Sequence, residues 1–163
     1  MFIKASPSVQ LSVSRLGERQ ARVSDGVSAL IFDHGGFTDF PKLPDLDGIE
    51  FHGVGAEMFR SALEYTGPAA STDETRYHLN GVNLVINDGL MEATGTDGHR
   101  IHRVTRAVDG AIKLGPVIIP RSFVSTAVRL LAGVTGIVEI GVIGKQFALR
   151  VGAALLVVKA IEA

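Results

Sequence analysis

Val117-Ile118-Ile119-Pro120-Arg121-Ser122-Phe123-Val124-Ser125-Thr126-Ala127-Val128-Arg129-Leu130-Leu131-Ala132-Gly133 changes its period part-way along. Residues 116–119 are an apolar run of strand length. Pro120 fits the opening of a helix, where its missing N–H costs nothing. From there Phe123, Val124, Ala127, Val128 and Leu131 fall on one face, with Ser122, Ser125 and Arg129 on the other. Gly133 supplies the stop. Working upstream, residues 55–66 repeat the pattern: Met58, Phe59, Ala62 and Leu63 form a stripe, Glu57, Arg60 and Glu64 face away, and Gly67-Pro68 ends the helix. A short strand is expected at 49–53. Strand pattern over 76–106 is broken at Asn87-Asp88-Gly89 and Asp97-Gly98, and three strands follow the second helix at 137–143, 146–151 and 153–161. The segment thus reads as a pseudo-repeat, each half a short strand, a three-turn helix and a run of antiparallel strands. Two helices packed on antiparallel sheet is an α+β layer arrangement.

The N-terminal region has no helix. Val9, Leu11 and Val13 alternate with polar residues, a polar strand is expected over 20–24, Asp25-Gly26 is a hairpin signal, and a third strand is expected over 28–32. Such a unit needs a cover for its apolar face, and its open edges invite pairing with another chain. Residues 33–48, with Gly35-Gly36, Pro41, Pro44, Asp45, Asp47 and Gly48, have linker composition. The expected division is 1–46, a partial unit of strands, and 47–163, a complete one.

Bulk composition narrows the function. Hydrophobic residues make up 46% of the 163, enough for a sizeable core. With 16 basic and 17 acidic residues the formal charge is -1, unlike a strongly basic nucleic-acid binder, though a protein that surrounds DNA needs only a local basic face. There is no cysteine, which excludes disulfides, thiolate zinc sites and cysteine nucleophiles. The N-terminus lacks a signal-peptide pattern and no apolar run reaches about 18 residues, so a soluble cytoplasmic setting without a membrane span is expected.

Three motifs then carry a likeness. Arg76-Tyr77-His78-Leu79-Asn80-Gly81, Ala93-Thr94-Gly95-Thr96-Asp97-Gly98-His99-Arg100-Ile101 and Val117-Ile118-Ile119-Pro120-Arg121 stand in the order of the "RYYLNG", "ATDGHRL" and "VIVPR" segments of the bacterial DNA sliding clamp, the beta subunit of DNA polymerase III. Phe37 to Leu43 resembles the "DFP-L" segment that ends that family's first domain. The resemblance implies the DNA-clamp fold, with the end of a first domain followed by a middle domain. It implies a non-catalytic, homodimeric processivity factor whose helices line a ring around duplex DNA. Polymerase and clamp-loader subunits dock short peptide motifs on it, and no cofactor or metal is used. The chain stops before the family's "RFPDY" segment, which with a third domain supplies half of the peptide pocket. His78 stands where the family has a second tyrosine, Ser122 where lysine is common, and His102 and Arg103 where small or apolar residues are commoner.

By the same resemblance Leu79, Thr96, Gly98, His99, Arg100 and Ile101 match the peptide pocket. The plain alternative is that Thr96-Asp97-Gly98 is only a turn and His99 a surface residue. Arg60, Arg121 and Arg129 lie on the outer sides of the helices, and Arg76, Tyr77 and His78 match a loop that touches DNA. Each arginine serves equally as an ordinary solvated charge, and Tyr77 as a core aromatic. Two further functions stay open: a stand-alone module binding replication-protein motifs without encircling DNA, and a metal or hydrolytic enzyme built on Asp97, His99 and His102. Against the enzyme, His99 and His102 would point apart on a regular strand, and no HExxH, P-loop or G-x-S-x-G occurs.

Overall fold

The structure is a computed structural model that describes residues 10–35, 42 and 44–162. The strand start at Val9 and most of the Phe37 to Leu43 motif lie outside the described residues. The chain divides into two units, Met1–Pro44 and Asp45–Ala163.

In the first unit β1 (Ser12–Arg15), β2 (Gln20–Ser24) and β3 (Ala29–Asp33) form an antiparallel sheet in that order. The Asp25-Gly26 hairpin is held by the Asp25 carboxylate, which accepts the Val27 and Ser28 N–H groups at 3.0 and 2.6 Å, while Gly26 takes a φ of +90°. Val13, Leu30, Ile31 and Phe32 are all exposed.

The second unit starts with β4 (Phe51–Gly55), two residues later than expected, because a turn at Asp47-Gly48 with Ile49 N–H donating to the Leu46 carbonyl uses up the preceding residues. Helix α1 (Ala56–Thr66) follows directly. After it come β5 (Gly81–Asn87), β6 (Leu90–Thr96), β7 (Ile101–Ala107) and β8 (Leu114–Pro120), then helix α2 (Arg121–Leu130), β9 (Ile137–Ile143), β10 (Gln146–Val151) and β11 (Ala154–Lys159). Two four-stranded antiparallel sheets result, ordered β11-β10-β9-β4 and β7-β6-β5-β8. The repeat is therefore interlocked: β4 pairs with β9 of the second half, and β8 with β5 of the first.

The helix starts show the same exchange. Neither has a side-chain cap. The Ala56 N–H donates instead to the Gly136 carbonyl at 2.8 Å, and the Arg121 N–H to the Asn80 carbonyl at 2.9 Å, so each half's loop receives the other half's first helical N–H. Both helices bury the faces expected of them. Phe59, Ala62 and Leu63 of α1, Phe123, Val124 and Ala127 of α2, and Leu131 just after it join inward residues of both sheets in one core. Removing Phe59, Leu63, Phe147 and Leu149 from water favours folding by about 1.5–3 kcal/mol each.

One expected strand is corrected. Residues 76–79, read as the opening of the strand region, form the end of a 3-10 segment (Glu74–Leu79). Asp73 accepts the Thr75 N–H at 2.9 Å and its hydroxyl at 2.7 Å, and Ser71 Oγ accepts the Asp73 N–H at 3.0 Å. These local bonds give the backbone a substitute for a sheet ladder. At the end of the last strand, Ile161 makes a single bridge to Ile118.

Candidate functional site

The β6–β7 connection is built around one carboxylate. Asp97 Oδ1 accepts the N–H groups of His99 and Arg100, each at 3.0 Å, and its Oδ2 accepts Arg100 Nε at 3.0 Å. Thr96 Oγ1 closes the base of the turn by donating to the Arg100 carbonyl at 2.7 Å and accepting Gly98 N–H at 3.1 Å. Gly98 sits at φ +89°, a left-handed conformation that favours glycine, and a Cβ there would lie 3.0 Å from the mobile tip of Arg76. The His99 and Arg100 N–H bonds, with the Arg100 charge, hold the Asp97 carboxyl below the usual aspartate value. Asp73 is held down likewise, first by the Thr75 hydroxyl and N–H and then by Arg76, whose Nε it accepts at 3.1 Å.

Two tethers fix this turn against the end of α1. Arg100 Nη2 donates to the Pro68 carbonyl at 2.9 Å. His102 Nδ1 lies 2.8 Å from the Tyr65 carbonyl, which can only accept, so the proton sits on Nδ1. The His102 ring also stacks on Tyr65 with centroids 5.0 Å apart. Gly95 permits the approach, since a Cβ there would meet the Thr66 carbonyl oxygen at 2.2 Å.

Leu79, Thr96, Gly98, His99, Arg100 and Ile101 are thus brought together: Leu79 Cδ1 lies 4.0 Å from the Cβ position of Gly98, and Thr96 is registered opposite Ile101. Ile101 is 65% exposed, so the apolar wall is open on one side. Beneath the turn a polar cleft of about 250 Å³ contains Arg76, Asp97, His99, Arg100 and Arg121. Tyr77 is exposed beside it, edge-on to the His78 ring. His99 sits in the turn ahead of β7, while His102 lies on β7 and is tied to α1, so the two are not alternate positions of one regular strand. Among the described residues no three acidic or histidine side chains gather as a metal site, and Asp97 is fully engaged by the turn.

The helices lie side by side. A groove of about 440 Å³ between them is lined by Leu63, Glu64, Val124, Val128, Arg121 and Arg129 among others. The three helix arginines differ. Arg60 is paired with Glu64 at 2.8 Å, so its charge is compensated within α1. Arg121 and Arg129 make no ion pair among the described residues.

Residues 53–163 match the family model of the DNA polymerase III beta subunit, central domain. The chain belongs to this family. Similar relatives of the beta subunit include the beta sliding clamps of Chlamydia pneumoniae, 30% identical over 79% of this chain and 36% of that protein, and of Caulobacter vibrioides, 33% identical over 76% of this chain and 35% of that protein. Among solved beta subunits, that of Caulobacter crescentus superposes with a TM-score of 0.86 at 29% identity, over 99% of this chain and 46% of that one. The Bartonella birtlesii sliding clamp, solved bound to griselimycin, gives 0.86 at 25% identity over 99% and 45%. The chain therefore spans about a third of the length of the curated relatives it matches. Its fold is the clamp fold of these beta subunits. Tyr65 and the Pro68 carbonyl, which steady the site turn, had no signal in the sequence beyond lying at a helix end. No helix among the described residues is long and apolar enough to cross a membrane.

Proposed function

We propose that this chain is the end of the first domain (1–46) and the middle domain (47–163) of a sliding clamp, a non-catalytic cytoplasmic processivity factor. The ring, assembled from two copies, encircles duplex DNA without reading its sequence. The observation that carries this reading is the pair of adjacent helices with Arg121 and Arg129 unpaired on their outer side. Arginines so placed meet phosphates as the duplex passes and carry no base specificity. Arg76, Tyr77 and His78, presented by the 3-10 segment, add contacts at the edge of that face. Arg60, neutralised by Glu64, contributes least.

The six-residue site around the Asp97 turn receives a short peptide motif from DNA polymerase or clamp-loader subunits. Leu79 and Ile101 supply apolar wall, and Gly98 lets a partner backbone come close. Because Ile101 is open on one side, an isolated chain binds such a peptide weakly. Retention tests the ring. After loading on nicked circular DNA, the clamp should elute with the DNA on gel filtration and be lost once the circle is cut. Equal loss from both forms would defeat the proposal.

A second reading, a module that binds replication-protein motifs and never encircles DNA, is favoured by one observation: the site turn and its tethers lie wholly within the second unit. It predicts peptide binding by this chain, abolished by Leu79→Ala or His99→Ala, together with no retention on circles.

A further inference from the structure

Arg121 lines both the inter-helix groove and the polar cleft beneath the site turn. The cleft brings together Arg76, Arg100 and Arg121 with Asp73, Asp97 and the His99 ring. Both aspartates already have partners. Asp97 uses one oxygen on two backbone N–H groups and the other on Arg100 Nε, and Asp73 uses its pair on Thr75 and on Arg76 Nε. Arg121 has no side-chain hydrogen bond or ion pair among the described residues. Three guanidinium groups against two occupied carboxylates leave one positive charge facing a confined space.

We propose that this cleft is a carboxylate seat, in which Arg121, backed by the outer N–H groups of Arg76 and Arg100, grips one acidic side chain of a protein segment docked on the site turn. A side-chain carboxylate on a flexible segment can enter a space of this size and meet a guanidinium in paired N–H···O geometry. A duplex phosphate, flanked by sugars on a convex surface, fits a groove better than a recess. When the seat is filled, Arg121 is drawn from the inter-helix groove, so docking and phosphate contact compete for one residue. The origin of the carboxylate in a docked segment rests on the peptide-docking reading above; the seat itself does not.

The test follows the arginine Nε–Hε resonances of the chain by NMR during titration with acetate, with chloride at matched ionic strength as reference. Acetate should shift Arg76, Arg100 and Arg121 saturably and leave Arg129 in place. Arg121→Gln should weaken the acetate effect at Arg76 and Arg100 by about tenfold, Arg121→Lys by less, and Arg106→Gln, on β7 away from the cleft, not at all. Equal shifts with chloride, failure to saturate, or indifference to Arg121→Gln would overturn the seat. So would a short duplex moving Arg76 and Arg100 where acetate does not, which would assign the cleft to nucleic acid. None of these readings depends on ring closure, so loss of retention on circles leaves the seat standing and failure of the seat leaves retention untouched.

Discussion

The two halves of the second unit share a plan and differ where the site is. From Phe51 to Ala107 the order is strand, helix, three strands, and from Leu114 to Lys159 it is the same. In the second half α2 reaches β9 through residues 131–136, and β10 turns into β11 through Gly152 and Ala153 alone. In the first half α1 reaches β5 only after residues 67–80, with two 3-10 segments, and β6 reaches β7 through the four-residue Asp97 turn. Every candidate peptide contact, and Arg76, Tyr77 and His78, lies in or beside those two longer connections. The repeat supplies the frame, and the departures from it carry the candidate contacts. The β6–β7 departure is fastened by Arg100 to the Pro68 carbonyl in the other connection, and the strand that follows it by His102 to the Tyr65 carbonyl of α1.

If the halves share one core, damage in either should loosen both. Phe59→Ala in the first half and Phe147→Ala in the second should each cost about 3–5 kcal/mol, in a single urea transition of the second unit. Separate transitions for the two sheets would break the comparison. Gly95→Ala, which drives a methyl into the Thr66 carbonyl, should cost about 1–3 kcal/mol or more. It should also disturb the site turn, whereas Gly152→Ala, in the plain turn of the second half with open space around it, should leave that turn unchanged in amide spectra. A double-mutant cycle of Tyr65→Ala and His102→Ala should give a coupling of about 0.5–1.5 kcal/mol, with the site turn as the region that loosens.

The smallest effect concerns pH. The folded-state value of Asp97 is depressed, so whatever its bonds contribute is present above the ordinary aspartate value and lost as pH falls through the lower folded one. Carboxyl titration by NMR should place the Asp97 midpoint below 3.8. The His99 and Arg100 amides should shift with it. A midpoint at or above that value would mean the carboxylate does not organise the turn.

What could be read in advance follows the range of the forces. The buried faces of α1 and α2 were legible because a helical stripe is set by neighbours three and four positions apart. The exchange of β4 and β8 between sheets was not, since it depends on pairings such as Val54 with Val138 that no local pattern encodes. The missing helix caps point the same way, their acceptors being Gly136 and Asn80 of the opposite half. At the site, Thr96 to Ile101 stood out through Asp97-Gly98 and through likeness to a known segment. The Arg76 to Leu79 stretch has strand pattern yet folds as 3-10, because the Asp73 and Ser71 bonds that fold it lie just upstream. Arg60 shows its i,i+4 partner Glu64 in plain sequence, but that the pair forms, while Arg121 and Arg129 have none among the described residues, depends on side-chain placement that spacing does not fix. Tyr65 found its partner 37 positions away, beyond any periodicity.

The absence of cysteine gives a direct way to ask which side of the unit meets nucleic acid. Single cysteines at Ser125, exposed on α2, and at Thr105, exposed on β7, can each carry a short photo-crosslinker. With the protein loaded on circular duplex DNA, Ser125→Cys should crosslink to the DNA and Thr105→Cys should not. Equal crosslinking from both positions, or crosslinking from Thr105→Cys alone, would contradict the claim that the paired helices face the duplex.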